Sequence, residues 1–466
     1  MNNFKLTLLS FAFILLAISS STAQSTKAKE IDSLMNKAYQ LRIFNGQILV
    51  VENGKTVYQS EFGYSDAGKK AKLTSDYRFN IGSIAKEFNA VGIMMLKEQG
   101  KLTLDDKVSK YLNSLPSWAE KISVRNLLQY TSGLPDISWK TVKSDDDILN
   151  DLKALKQLDF EPGTKYAYNN SNVFLQRRII EKISGVSFQE FVKTKMLQPC
   201  GMKTSVVDPD MRGTKIAISF NNDFVEDTRQ FSSPMSGWTA VTTKDLYKWT
   251  QCLHNFRVLN KSSFKEILEP AAANRQSGLG GGLMEGDLIK EHIHDGRSSD
   301  FEALMYSQPS EDVTIILLTN NKNFKLYEIK DAIKSILNGT AYKIPKKSVF
   351  AALNRKANVL SGEEIISLYN ELKSKQTNDF NFESESELNI LGYSLIGSKR
   401  IDDAIKIFEL NVKAFPKSAN VYDSLGEAYF NKGDKKSALL NYKKSLELSP
   451  NSASAKEMID KIEKEK

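Results

Sequence analysis

At 466 residues, 41% hydrophobic and 26% charged, the chain has an ordinary globular balance and the length for two or three domains. Its formal charge of +8 is spread along the sequence without aromatic interleaving, which argues against a nucleic-acid groove and for a solvated basic surface. Cys200 and Cys252 both sit in apolar helical contexts, where a disulfide and two buried thiols are equally compatible with the sequence.

The first 23 residues carry Lys5, the apolar run "LLSFAFILLAIS" and the small-residue ending "SSSTA". That order predicts a secretory signal peptide cut between Ala23 and Gln24, because the apolar core is too short to span a bilayer. Its removal takes one Lys from the +8 and leaves +7. No later run is long enough to cross a membrane, so the mature protein is expected to be secreted or periplasmic, without a membrane span.

"GQILVVENGKTVYQSEFGYS" predicts a hairpin, with Asn53-Gly54 supplying the positive φ values of a two-residue turn. In "FNIGSIAKEFNAVGIMMLKEQGKL", Phe88, Val91, Met94 and Met95 have helical spacing, and Ser83 precedes Lys86 by three residues at the helix start. That spacing stacks an amine beside a hydroxyl. It also sets Ser83 where unpaired backbone N–H groups and the helix dipole favour a developing anion. The tetrapeptide alone is weak, since "SSFK" at 262–265 matches it too, and an isolated serine there is more often a plain N-cap. "QYTSGLPD", with Tyr130 and Ser132, reads as a loop beside the site, and "SDDDILNDL" as a helix start with acids in its first turn.

"FEPGTKYAYNNSNVFLQRRIIEKISG" carries Tyr168-x-Asn170 in a loop before a helix, and "SGLGGGLMEG" fits a strand allowing close backbone approach better than a phosphate loop. Two of the three histidines, His292 and His294, fall in "EHIHDGRSSD", with Asp295, Gly296 and Arg297 following. A zinc site needs three or four ligands, and the third histidine, His254, lies in the amphipathic stretch "KDLYKWTQCLHN"; no metal and no cofactor is expected. No G-x-S-x-G elbow accompanies the histidines. "FEALMYSQPSEDVTIILLTNN" reads as two strands, so strands at both ends of residues 24–340 enclose helices and predict one α+β domain whose terminal strands share a sheet.

Residues 341–384 read as a helical linker. Beyond them an offset of 34 pairs Leu388, Leu391, Gly392, Leu395, Ala404, Phe408 and Pro416 with Tyr422, Leu425, Gly426, Tyr429, Ala438, Tyr442 and Pro450. The match predicts two tetratricopeptide (TPR) repeats over 385–452 and a capping helix over 453–466.

The three spaced motifs Ser83-x-x-Lys86, Tyr168-x-Asn170 and His294-x-Gly296, with "QYTSGLPD", "EPGTKYAYNN", "LQPCGMKTS" and "SGWTAVTTKDLYKW" between them, resemble the serine β-lactamase and penicillin-binding-protein superfamily, in its class C and esterase-like branch. The resemblance runs from about residue 40 to 322 and excludes the repeats. It implies an antiparallel sheet flanked by helices with a helical subdomain, to which the 34-residue repeats add an all-α TPR superhelix. It further implies that Ser83 is acylated, that Lys86 activates it and that Tyr168 shuttles protons and serves as deacylation base. Asn170 would orient Lys86 and the substrate amide, the backbone N–H groups of Ser83 and Arg297 would form the oxyanion hole, and Gly296 would let the strand approach the acyl group. His294 stands where many relatives carry Lys. Asp295 and Arg297 depart from the usual Thr and small residue, which weakens the expectation of strong β-lactamase activity. The function expected is therefore an exported serine hydrolase acting on a D-amino-acid peptide, small ester or β-lactam, with a protein partner at the repeats. The rival is a penicillin-recognising sensing module with little turnover.

Overall fold

The computed structural model describes residues 25–208, 213–227, 235–272 and 275–464, so the expected signal segment lies outside the described residues. Two compact units are present: one holds residues up to 322 together with 326–344, the other 323–325 together with 345–466.

In the first unit β1 (Gly46–Glu52) and β2 (Lys55–Phe62) form the hairpin, turning at Asn53 and Gly54 with φ of 53° and 68°. Both central residues thus adopt the positive φ that a tight hairpin matched to strand twist requires. β3 (Phe79–Asn80), β4 (Val206–Val207) and β5 (Thr239–Val241) make a small sheet ordered β3-β5-β4. β6 (Gly281–Glu285), β7 (Leu288–Ser298), β8 (Phe301–Gln308) and β9 (Val313–Thr319) complete the main sheet. Its order is β2-β1-β9-β8-β7-β6, every pair antiparallel, so the first and last strands of the region do pair with each other.

Strand alternation splits the apolar residues between two cores. Leu49, Val51, Met305, Ile316 and Leu318 face one core with Phe88, Val91 and Met94 of the helix Lys86–Glu98. Ile48, Val50, Tyr306, Ile315 and Leu317 face the other, with Ile31 and Leu34 of the helix 25–40 and Ile329 and Ile333 of the helix Leu326–Leu337. A sheet covered on both faces explains why β9, "VTIILLT", is continuously apolar and buried along its length. The acidic stretch at 145–147 opens the helix Asp145–Ala154, capped by Ser144.

Cys200 and Cys252 form a disulfide with Cα atoms 5.5 Å apart. It ties the turn after residue 197 to the buried face of the helix Thr243–His254.

In the second unit the repeat helices are Ser386–Gly397, Ile401–Ala414, Ala419–Lys432 and Lys435–Leu448, followed by Ala453–Lys464. A Cβ on Gly392 would lie 2.4 Å from the Phe408 ring and one on Gly426 3.2 Å from the Tyr442 ring. The repeated Gly and aromatic are therefore one device: each helix pair closes because the ring fills the space the glycine leaves. Residues 345–384, expected as a linker, are built into this unit instead. Their helices Val349–Ala357 and Gly362–Lys375 put Leu353, Ile365 and Tyr369 into the same core as Leu391 and Phe408. Among the described residues no helix is long and apolar enough to cross a membrane.

The disulfide closes a 52-residue separation. Replacing both cysteines with Ala is expected to lower the unfolding free energy by up to about 4 kcal/mol, read by denaturant titration, with reduction of the parent protein giving a change of the same sign.

Candidate active site

Ser83 lies in the 3-10 turn Gly82–Ala85 that leads directly into the helix Lys86–Glu98. The turn is held against β7 at unusually close range. A Cβ on Gly82 (φ 52°) would meet Arg297 N at 2.4 Å, and one on Gly296 would meet Ile81 O at 1.9 Å and Ser83 N at 2.7 Å. Only glycine at both positions lets the two backbones touch, and the contact brings the Ser83 and Arg297 amides side by side. The Ser83 N–H belongs to the first turn, where intrahelical acceptors are lacking.

Lys86, one turn on, points its Nζ at Ser83 Oγ (2.9 Å) and Tyr168 OH (2.5 Å), and Tyr168 OH donates to Ser83 Oγ at 3.0 Å. The three sequence-predicted catalytic groups thus form a closed triangle. Tyr130, held at a φ of 54°, packs its ring 4.7 Å from that of Tyr168. Ser132 accepts from Leu134 N, so both residues of "QYTSGLPD" shape the loop beside the site.

Burial, with the Arg177 guanidinium as second cause, brings the Lys86 ammonium down to about 7, against the opposing pull of Asp136 and Asp295. Lys86 is 4% exposed and pairs with hydroxyls only, and a cation without a counter-ion in that setting favours its neutral form. Arg177 is wholly buried; its Nε donates to Asn89 Oδ1, while Nη1 and Nη2 have no hydrogen-bond partner among the described residues. It lies over the Trp238 ring at 5.5 Å and Lys86 over the same ring at 5.9 Å. Gly237 (φ 91°) makes room, since a Cβ there would sit 2.6 Å from the guanidinium carbon.

Burial pushes the Tyr168 phenol up to about 12, and the Asp295, Tyr166 and Asp136 charges add to it, outweighing the bond to Ser83. A phenol with that pKa keeps its proton near neutrality. For a side chain that is 37% exposed, that upward direction runs against the role of deacylation base expected for Tyr168, while Lys86 moves toward its free base. Asn170 also departs from expectation: its backbone N–H and Nδ2 go to Asp136 Oδ1 (2.8 and 3.4 Å), its Oδ1 is buried without a partner, and it is not bonded to Lys86.

The histidines form a second assembly that the sequence did not suggest. Glu87, completely buried, accepts at Oε1 from His294 Nδ1 (2.8 Å) and His292 Nε2 (3.2 Å), and at Oε2 from Trp249 Nε1 (2.7 Å). His254 Nε2 lies 3.0 Å from His292 Nδ1, so all three histidines belong to one chain of hydrogen bonds. Burial alone would raise the Glu87 carboxyl, but the charges and bonds of His292 and His294 prevail and hold it at about 2. Burial, then the neighbouring His292, brings His254 down to about 3. His292 is thus a full member of the buried network. Gly280 belongs to the glycine-rich run, and a Cβ there would strike the His294 ring at 2.4 Å.

Asp295 and Arg297 alternate with His294 and Gly296 along β7. Asp295 accepts from Tyr327 OH at Oδ1 and from Arg297 Nη2 at Oδ2, both at 3.0 Å. The second Ser-x-x-Lys match, Ser262 to Lys265, lies on the helix Lys261–Leu268 with both residues exposed, far from this geometry in character.

A serine at a helix start, a desolvated lysine one turn on, a tyrosine hydroxyl touching both and a strand docked edge-on are thus brought together on an α+β scaffold. The chain belongs to the beta-lactamase family, whose model matches residues 28–336, and a tetratricopeptide repeat model matches 419–452. It is 28% identical to penicillin-binding protein 4* of Bacillus subtilis (strain 168) over 70% of this chain and 79% of that protein. A class C beta-lactamase structure aligns with a TM-score of 0.57 at 20% identity, covering 69% of this chain and 98% of the other. D-amino acid amidase from Ochrobactrum anthropi SV3 aligns with a TM-score of 0.56 at 22% identity, covering 67% and 97%.

Gly296→Ala is expected to force β7 off the nucleophile turn, costing about 1–3 kcal/mol of stability and most of the Ser83 reactivity. Thermal melts and ester turnover on the same preparation check both.

Proposed function

We propose that the chain is an exported serine hydrolase that cleaves an amide or ester through an acyl-Ser83 intermediate. The observation that carries this reading is the Ser83, Lys86, Tyr168 triangle with a lysine poised at about 7. A general base works best with a pKa near the working pH, and a lysine at its ordinary value would be almost wholly protonated there.

In the forward step the free Lys86 amine takes the Ser83 Oγ proton, directly or through Tyr168 OH, while Oγ bonds to the carbonyl carbon. The oxyanion sits against the Ser83 and Arg297 amides, an arrangement worth a few kcal/mol per well-aimed donor. Collapse expels the amine or alcohol, which takes its proton from the Lys86 and Tyr168 pair. Water then bonds to the acyl carbon as it loses a proton to the same pair, and collapse breaks the bond to Oγ, which takes that proton back and releases the acid. The neutral Tyr168 relays protons in both half-reactions, and Asn170, with a buried carbonyl oxygen lacking a partner, offers that oxygen to a substrate amide N–H.

The D-amino acid amidase and penicillin-binding relatives make D-amino-acid derivatives, small esters and β-lactams the donor classes to test. Asp295 places an anion near Lys86 and Tyr168, its ion pair with Arg297 offsets that charge, and the pair together sets how far donors bearing a carboxylate are accepted. The sensing-module reading would need a stable adduct without turnover. The TPR repeats are proposed to dock a protein partner.

Incubation with a p-nitrophenyl ester and with a labelled penicillin should give ester turnover that Ser83→Ala abolishes. Turnover surviving in Ser83→Ala would refute the reading, and a long-lived penicillin adduct without ester turnover would favour sensing. Because the reactive form is the free amine, kcat/KM should rise with pH through about 7 and level off above it. Arg177→Met removes a cation that lowers Lys86, so the same limb should move to higher pH, measured by stopped-flow ester hydrolysis.

A further inference from the structure

The helix Lys86–Glu98 opens with two buried residues of opposite charge that do not pair. Consecutive helix positions point about 100° apart, so Lys86 turns to Ser83 and Tyr168 while Glu87 turns to β7 and the helix Thr243–His254. An uncompensated buried carboxylate is costly, and this one is retained one residue from the candidate base. Its shell fixes where protons must be.

A Glu87 held at about 2 is a carboxylate and only accepts. Both ring nitrogens facing Oε1 must therefore carry hydrogen: His292 Nε2 and His294 Nδ1. Trp249 Nε1, a donor only, fixes Oε2. His292 Nδ1 and His254 Nε2, 3.0 Å apart, share one hydrogen between them. The chain closes without a donor facing a donor. For His294 the consequence is specific: Nδ1 is committed to Glu87, and Nε2 is the ring nitrogen left for other work. His294 lies two residues before Gly296 on the same face of β7, and Gly296 abuts Ser83.

We propose that Glu87 is a positioning residue: by holding His294 Nδ1–H, with His292, His254 and Trp249 completing its shell, it sets the tautomer and ring orientation in which His294 serves the Ser83 site. A carboxylate behind an imidazole is a recurrent way to fix which nitrogen is available for chemistry. The inference rests on the acyl-transfer reading of Ser83 for its functional half, and on the contacts of Glu87 together with its carboxylate state for its tautomer half.

Glu87→Gln tests it because the amide is isosteric but carries donors. With its oxygen toward the histidines its nitrogen opposes the Trp249 N–H; turned round, it forces the His294 proton from Nδ1 to Nε2. We expect kcat to fall by roughly ten- to hundred-fold, the range seen when an imidazole loses its orienting carboxylate, with KM less affected. A lowered Tm with unchanged kcat and KM for the folded protein would make Glu87 merely structural and overturn the proposal. Since the chain has only three histidines, a long-range proton–nitrogen NMR spectrum of the histidine-labelled wild-type protein reads the tautomers without any variant. Protonated Nδ1 on His294 and protonated Nε2 on His292 are expected; a bare His294 Nδ1 overturns the inference. Ser83→Ala retaining turnover would instead sink the acyl-transfer reading and leave the tautomer result standing.

Discussion

Everything at the candidate site depends on a backbone contact rather than on a side chain: β7 lying against the turn that carries Ser83. Gly82 and Gly296 remove the two Cβ atoms that would hold these segments apart. Lys86 follows directly on that turn and is 4% exposed. A lysine in water stays protonated near neutrality; one packed against Trp238 and two hydroxyls, with a second buried cation nearby, is brought down to about 7.

Helix geometry then sorts the charges. Lys86 and Glu87 are neighbours in sequence, yet each has its own buried environment, one made of hydroxyls and aromatic faces, the other of imidazole and indole N–H groups. Had they paired, the lysine would be an ammonium with a counter-ion and useless as a base. The helix Thr243–His254 supplies Trp249 and His254 to this division, and the Cys200–Cys252 disulfide anchors that helix near its end. Distant parts of the chain therefore converge on keeping two adjacent charges apart.

Much of this was legible in the sequence. The hairpin at Asn53-Gly54, the strands around residue 310 and the Gly–aromatic repeats are local patterns, and local sterics decide them. The family resemblance carried Ser83, Lys86 and Tyr168 correctly to one place. What stayed hidden was pairwise and non-local. Glu87 next to Lys86 reads as an ordinary helix acid until β7 is known to cross it, and Arg177 reads as an exposed helix cation until Gly237 and Trp238 enclose it. Residues 341–384 looked like a link because many of the apolar partners of 345–384 lie in the repeat helices, outside the segment itself.

The most direct test of the account is the pH dependence of Ser83 labelling by a fluorophosphonate, with the adduct mapped by mass spectrometry. The account predicts a rate that climbs with pH through an inflection near 7, on Ser83 alone, and becomes slow and featureless over that range in Lys86→Met. Labelling of Ser83 with no inflection, or equally fast labelling in the Lys86 variant, would contradict it.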